Sequence, residues 1–460
     1  MKDKQKGLKK KEGKRMGLST FKGGVHPYEG KELSEDKQIQ VLEPKGDLVF
    51  PMGQHLGAPA KPLVAKGDQV LVGQRIGEAS GFISANICSS VSGVVKSVGP
   101  HLTTSGAMSE SIVIENDNNY TPIEGLGVKR DYKELSEAEI RELVKDAGVV
   151  GMGGAGFPTH VKITPKDDNA IEYVIINGAE CEPYLTSDYR LMLEKTEEMV
   201  MGLRVVLSLF PNAKGIIGIE NNKPEAIKKV REAVKDDSNI EVHELLTKYP
   251  QGGERMLIYA TTGRKINSTM LPADAGCVVN NVDTMIAIYK AVCESTPSFT
   301  RTLTVTGDAV ANTANFQVRT GTSYKEVLEA AGGWKTEPAK IISGGPMMGA
   351  ALYDIDVPVT KASSALLGLT KDEVAEFEPT ACIRCGRCVD ACPSNLIPQK
   401  LAEAAENFDD EAFEKLNGME CFECGSCTYV CPAKRRLTQA FKQSRQSVAA
   451  ARRAKAAAAK

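Results

Sequence analysis

The chain has 460 residues, 42% of them hydrophobic and 25% charged, with a formal net charge of −2. That length predicts about three domains. The balanced charge excludes a nucleic-acid surface built on bulk positive charge, and no run of eighteen or more apolar residues offers a transmembrane helix.

Residues 1–35 are basic and glycine-rich and include Phe21-Lys22-Gly23-Gly24-Val25-His26-Pro27. They predict a solvated, extended arm, and the lysines come without the apolar segment of a secretory signal. Residues 36–125 predict an all-β domain. Short apolar stretches (Leu48-Val49-Phe50, Val70-Leu71-Val72, Val91 to Val98, Ile112-Val113-Ile114) alternate with Gly and Pro turns. Lys66-Gly67-Asp68 and Ser92-Gly93-Val94 resemble the turns of a barrel-sandwich hybrid. The hairpin that carries a modified lysine in biotinyl and lipoyl domains reads Gly81-Phe82-Ile83-Ser84-Ala85-Asn86 here. It has no lysine, which points to a docking or structural role.

Residues 131–295 alternate strand and helix signals, the mark of an α/β layer architecture. Ser136 with Glu139 predicts a capped helix through Ala147, and Ile171 to Ile176 a strand. Asp188 to Phe210 carries Leu191, Met192, Met199, Leu203, Val206 and Leu207 at helical spacing, a core-facing stripe. Gly215 to Ile219 predicts a strand, Pro224 to Val234 a helix and Val279 to Cys293 a helix. Residues 296–360 predict short strands around one helix, Ser323 to Ala330, in a small β-grasp (SLBB) module. Residues 370–433 hold a cysteine repeat, and the Ala/Lys/Arg-rich tail, 434–460, predicts a frayed helix with a solvated basic face. The fold class is thus multidomain α/β and β.

Eight of the twelve cysteines occur in two copies of one spacing, Cys382, Cys385, Cys388 and Cys392-Pro393, then Cys421, Cys424, Cys427 and Cys431-Pro432. Zinc ribbons use paired C-x₂-C instead, and disulfide frameworks belong to small secreted chains. The run resembles that of two-cluster ferredoxins, where the fourth cysteine of each copy ligates the other cluster. The resemblance implies one [4Fe–4S] cluster on Cys382, Cys385, Cys388 and Cys431, and a second on Cys421, Cys424, Cys427 and Cys392. Such clusters move single electrons and, with unpaired thiols, suit a reducing compartment. Cys88 and Cys293 are expected to be buried small hydrophobes.

A second feature is Gly151-Met152-Gly153-Gly154-Ala155-Gly156-Phe157-Pro158-Thr159. Glycine at this density lets backbone N–H groups converge on an anion and lets a flat cofactor approach the main chain. Lys162 follows at a reach suited to a phosphate. Three further polar loops lie in the same domain: Asn177-Gly178-Ala179-Glu180-Cys181-Glu182-Pro183, Tyr249-Pro250-Gln251-Gly252-Gly253-Glu254, and Asn280-Asn281-Val282-Asp283-Thr284. Each alone suits a turn or a helix cap; four together suit a shared ligand site at strand ends.

These four stretches resemble the flavin- and NADH-binding 51-kDa-type subunit of respiratory complex I, whose patterns are G-x-G-G-A-G-F-P-T, N-A-D-E-x-E-P, a G-E-E loop and N-N-V-E-T. Gly253 and Ala179 stand where that family has acids. Together with residues 21–27, Gly344-Gly345-Pro346-Met347-Met348-Gly349 and the doubled cysteine run, the whole chain resembles the C subunits of Rnf ion-translocating ferredoxin:NAD⁺ oxidoreductases. The resemblance implies that FMN lies on Gly151, Gly153, Gly154 and Gly156, with Lys162 at its polar groups or phosphate. Asn177, Glu180, Gly252, Gly253, Asn280, Asn281 and Thr284 would hydrogen-bond the flavin and ribityl chain. Phe157 would stack on the nicotinamide nucleotide, and Glu182 and Glu254 would bind its ribose or amide. It further implies NAD(H) as substrate. Its partners would be the other Rnf subunits, including a ferredoxin-type iron–sulfur subunit and integral membrane subunits, with ferredoxin reached indirectly. Its place would be peripheral, on the cytoplasmic face of the cell membrane. Two alternatives share these modules: a cobalamin reductase of the microcompartment type, and a non-catalytic electron wire.

Overall fold

The computed structural model of the chain describes residues 18–458. The first part of the predicted arm, 1–17, and the last two residues of the tail lie outside the described residues. From Leu18 onward the expectation of a solvated arm is corrected. Phe21 and Val25 are buried, Val25 bridges to Tyr249, and the Gly24 N–H donates to the Ala391 carbonyl at 2.9 Å. The few apolar residues in this basic stretch find their burial only in distant parts of the chain, so local composition misses it.

The all-β domain forms two small sheets. One runs in the order Leu48–Pro51, Met108–Asn116, Gly93–Leu102, Gln69–Val70, and the other Lys61–Pro62, Arg75–Glu78, Ile87–Cys88. Leu48, Phe50, Ile76, Ile87, Val91, Ile112 and Ile114 fill the space between them. The strand Ile39–Leu42 lies elsewhere: it pairs in parallel with Ala314–Arg319 at the edge of the β-grasp sheet. That sheet also takes in Ala365–Leu369, beyond residue 360. Hydrophobic patterning identifies a strand but not a partner hundreds of residues away.

The α/β domain is a four-stranded parallel sheet in the order Ile240–Leu245, Lys214–Glu220, Tyr173–Gly178, Cys277–Asn281. The chain fills one side of Tyr173–Gly178 first and returns to its other side last, which puts a topological switch point at the carboxyl ends of Tyr173–Gly178 and Cys277–Asn281. The capping box is present: the Glu139 N–H donates to Ser136 Oγ at 3.3 Å and the Ser136 N–H to the Glu139 carboxylate at 2.8 Å. The stripe of Leu191, Met192, Met199, Leu203 and Val206 is fully buried. It belongs to two helices, Ser187–Glu194 and Thr196–Leu207, which break at Lys195. The expected helix from Val279 starts later: Cys277–Asn281 is a strand and Val282–Cys293 the helix. A short buried strand running straight into a helix shows no change of apolar content to mark the boundary.

In the last domain the helices Pro398–Glu406, Asp410–Lys415 and Leu437–Ala458 enclose Leu401, Phe413, Leu437 and Phe441. The predicted solvated tail is therefore half structural. Leu437, Phe441, Ser444 and Val448 face the core, while residues 451–458 are exposed. Among the described residues no helix is long and apolar enough to cross a membrane.

Candidate functional site

The four polar loops converge on the switch point. Asn177 and Asn281 are direct cross-strand partners at the ends of their parallel strands, so their side chains share one face. Asn177 Nδ2 donates to the Gly252 carbonyl at 2.8 Å, which ties the second loop to the third. Asn281 Oδ1 accepts from the Asp283 N–H at 2.8 Å and caps the helix, while its Nδ2 donates to Asp188 at 2.6 Å. Thr284 Oγ1 accepts from the Met152 N–H at 2.9 Å and fixes the start of the glycine loop. Lys162 Nζ donates to the Val279 carbonyl at 2.8 Å and lies 3.4 Å from Glu254, whose side chain is largely exposed.

Glu180 adopts a left-handed backbone conformation, φ 47°, unusual outside glycine. Its buried carboxylate accepts from the Asp188 and Tyr189 N–H groups at 2.7 and 3.1 Å, at the head of Ser187–Glu194. Glu182 accepts from the Met347 and Met348 N–H groups at 3.1 and 2.9 Å. Burial raises its carboxyl to about 7 against the two amide bonds. Burial and the neighbouring Glu180 likewise push Asp188 upward, opposed by Arg301.

Several groups that hold the site carry no local sequence signal. Lys31, in the supposed arm, is buried and donates to the carbonyls of Glu180, Glu182 and Leu185 at 2.9, 3.2 and 2.6 Å. Lys223 is equally buried and donates to the Ala179 carbonyl at 2.7 Å. Together they satisfy the carbonyls of Ala179, Glu180, Glu182 and Leu185, which hold the loop in place. Asp188 enters through its N–H bond to Glu180 and its carboxylate bond to Asn281.

The residues fit a flat, polar cofactor. Within these loops the Asn280 amide is 2% exposed, yet neither its nitrogen nor its oxygen has a partner. Asp188 Oδ1, Gln251 Nε2 and Thr159 Oγ1 are also buried without partners. Buried groups in this state call for a ligand or water. Gly153, Gly154 and Ala155 are exposed, and a Cβ built on Gly154 meets nothing within 4 Å.

The cysteines segregate into two cavities. One is lined by Cys382, Cys385, Cys388 and Cys431, and the other by Cys392, Cys421, Cys424 and Cys427. All twelve thiols are free. Burial raises Cys421 to about 11 and Cys427 to about 12; a cationic iron core held there would have to displace these protons. Among the described residues no three His, Cys, Asp or Glu side chains are set to share a single metal ion. A four-iron core spreads its thiolates wider than one ion does. Cys88 and Cys293 are buried, and Cys277 is also, its thiol raised by burial to about 11.

The two cavities differ in surroundings. Cys382 and Cys385 are exposed, and Ile383 between them is 67% exposed. The other cavity is packed against the flavin-type loops. Phe422 lies 3.6 Å from the Cβ position of Gly253, Arg255 pairs with Glu420 at 3.0 Å, and Met347 O lies 3.2 Å from the Cβ position of Gly425.

Among known proteins, the chain is 45% identical to the C subunit of the proton-translocating ferredoxin:NAD(+) oxidoreductase complex of Clostridium ljungdahlii, covering 92% of each chain. It is 43% identical to the C subunit of the Na(+)-translocating ferredoxin:NAD(+) oxidoreductase complex of Acetobacterium woodii, over 94% of this chain and 98% of that one. The chain belongs to the Rnf C-subunit family. Four family models divide this Rnf C subunit: the RnfC barrel sandwich hybrid domain over 19–119, the Nuo51 FMN-binding domain over 144–290, an SLBB domain over 302–351 and a 4Fe-4S dicluster domain over 381–434. It thus combines an FMN-binding domain with a dicluster iron–sulfur domain. The C subunit of the ion-translocating oxidoreductase complex of Haemophilus influenzae is 38% identical over 86% of this chain and 61% of its own length. In fold, an NAD⁺-reducing [NiFe]-hydrogenase chain matches with a TM-score of 0.50 at 19% identity, covering 70% of this chain and 65% of that one.

Proposed function

We propose that this Rnf C subunit is the NAD(H)-reactive electron-transfer subunit of a membrane-bound ferredoxin:NAD⁺ oxidoreductase complex. Bound FMN exchanges a hydride with NAD(H) and single electrons with [4Fe–4S] clusters, which is the chemistry that unites them on one chain. Cys382, Cys385, Cys388 and Cys431 hold one cluster, and Cys392, Cys421, Cys424 and Cys427 the other. The flavin rests on Gly151, Gly153, Gly154 and Gly156. Asn280 supplies the unpaired amide that faces its polar edge. Asn177, Gly252 and Thr284 keep the loops at fixed separation, and Phe157 and Glu254 border the nucleotide. No side-chain nucleophile or general base is required.

The single observation that carries this reading is the asymmetry of the two cysteine cavities. In the one containing Cys421, Cys424 and Cys427 are buried and the turn packs beside Gly253 and Met347, whereas in the other Cys382 and Cys385 are exposed. A chain that links a flavin to a partner needs one inward and one outward cluster. The partners are the other subunits of the complex, among them a ferredoxin-type iron–sulfur subunit and integral membrane subunits, so that ferredoxin is reached indirectly. The protein sits peripherally on the cytoplasmic face of the membrane. Ion translocation belongs to the spanning partners, because charge crosses the bilayer only through segments that satisfy their backbone within it. Copurification from detergent-solubilised membranes tests the assignment. Association with spanning subunits supports it; association with a corrinoid enzyme instead contradicts it.

A further inference from the structure

The Gly344–Gly349 segment and Glu182 are joined in a way that the flavin and cluster assignments leave unexplained. Both carboxylate oxygens of Glu182 are engaged by backbone: Oε2 accepts from Met347 at 3.1 Å and Oε1 from Met348 at 2.9 Å. A Cβ on Gly345 would overlap Oε2, so glycine is what lets the loop close over the carboxylate. The same loop rests on the turn that carries Cys424, with Met347 O 3.2 Å from the Cβ position of Gly425. Met347 also packs in a small apolar cluster with Cys181, Phe422, Cys424, Val25 and Tyr249. Glu182 itself sits in the loop that Lys31 pins through its carbonyl at 3.2 Å. Three domains therefore meet at one carboxylate: the flavin loop that carries it, the β-grasp loop it clamps, and the cluster turn on which that loop rests.

We infer that Glu182 is a positioning residue for electron transfer between the flavin and the Cys392/Cys421/Cys424/Cys427 cluster, acting through the clamped Gly344–Gly349 loop. The inference rests on the cofactor assignment above. Each carboxylate oxygen accepts one backbone amide of the same loop, at 3.1 and 2.9 Å, which is the arrangement a clamp requires. Without the clamp, Met347 loses its fixed place against Phe422, Cys424 and Gly425, and the turn that carries Cys424 loses that support.

The test compares Glu182→Ala, Glu182→Gln and Gly345→Ala in the full chain, anaerobically reconstituted with FMN, iron and sulfide. Glu182→Ala removes the clamp from one side, and Gly345→Ala forces it open from the other. Gln keeps one acceptor oxygen for two amides and should fall between wild type and Ala. The expected result is that KM for NADH stays within about twofold, as for a residue outside uniform substrate binding. NADH-driven cluster reduction slows severalfold in Glu182→Ala and Gly345→Ala. The EPR signal of the inner cluster shifts, and that of the outer cluster does not. Independently of any cofactor, hydrogen exchange at the Met347 and Met348 amides and around Gly425 accelerates in Glu182→Ala and Gly345→Ala. A raised KM or weakened NADH binding in Glu182→Gln, with exchange at 347 and 348 unchanged, would overturn the inference. Wild-type protein that takes up no FMN would instead defeat the cofactor assignment, and the exchange measurement would still decide the clamp.

Discussion

Replacing Gly154 with alanine adds a methyl group where nothing in the chain lies within 4 Å, and the backbone there is not in the left-handed region. The folded protein should therefore tolerate the change to within about 0.5 kcal/mol, as for substitutions away from packed features. If the glycine loop supports the flat face of FMN, the same methyl intrudes on the cofactor. Overpacking of one such group costs about 1–3 kcal/mol, which weakens FMN binding roughly 5- to 150-fold. Gly153 is the control. Its φ is +114° and a Cβ would lie 2.8 Å from Asn281 Nδ2, so alanine there strains the apoprotein by about 1–3 kcal/mol. Urea denaturation of the apoprotein and fluorescence titration with FMN separate the two effects. Gly154→Ala with unchanged stability and wild-type FMN affinity would refute the loop as the flavin cradle.

Other outcomes follow from the same geometry. Cys421→Ser should abolish NADH-driven reduction of both clusters, whereas Cys382→Ser should leave the inner cluster reducible by NADH, as read by EPR. Arg301 is 1% exposed, pairs with Asp283 and donates to the Ser363 carbonyl. Arg301→Ala should destabilise the protein by about 3–5 kcal/mol by leaving a buried carboxylate without its partner, with much of the loss restored by adding Asp283→Asn; chemical denaturation measures both. Burial raises Glu182 from 4.5 to about 7. The folded state therefore holds this proton where the unfolded chain has released it, and stability declines as pH rises through that window. Glu182→Gln should remove that part of the pH dependence in denaturation curves taken on either side of the window.

The legible part of the molecule was whatever repeats or concentrates locally. The resemblance of the cysteine run to two-cluster ferredoxins implied Cys431 with the first run and Cys392 with the second, and the two cavities group the residues in the same way. The glycine loop and the N-N-V-D-T loop stood out because backbone access and strand ends demand particular residue types. The remainder depended on contacts between distant segments. Lys31 looked like one more lysine in a basic stretch, because nothing nearby in sequence shows the three carbonyls it serves. Ile39–Leu42 was not singled out as a strand, because its partner, Ala314–Arg319, lies far away in the chain. Nothing near Glu182 in the sequence shows that its oxygens accept from Met347 and Met348, more than a hundred and sixty residues away.

In the proposed function NADH delivers electrons through the flavin to the inner and then the outer cluster. Rapid-freeze EPR on the anaerobically reconstituted protein after mixing with NADH tests it most directly, with Cys382→Ser supplying the inner cluster's signal alone. The prediction is one FMN and two [4Fe–4S] clusters per chain, with the inner signal rising first and the outer one following. Reduction of the outer cluster first, or a reduced flavin beside clusters that stay oxidised, would contradict it.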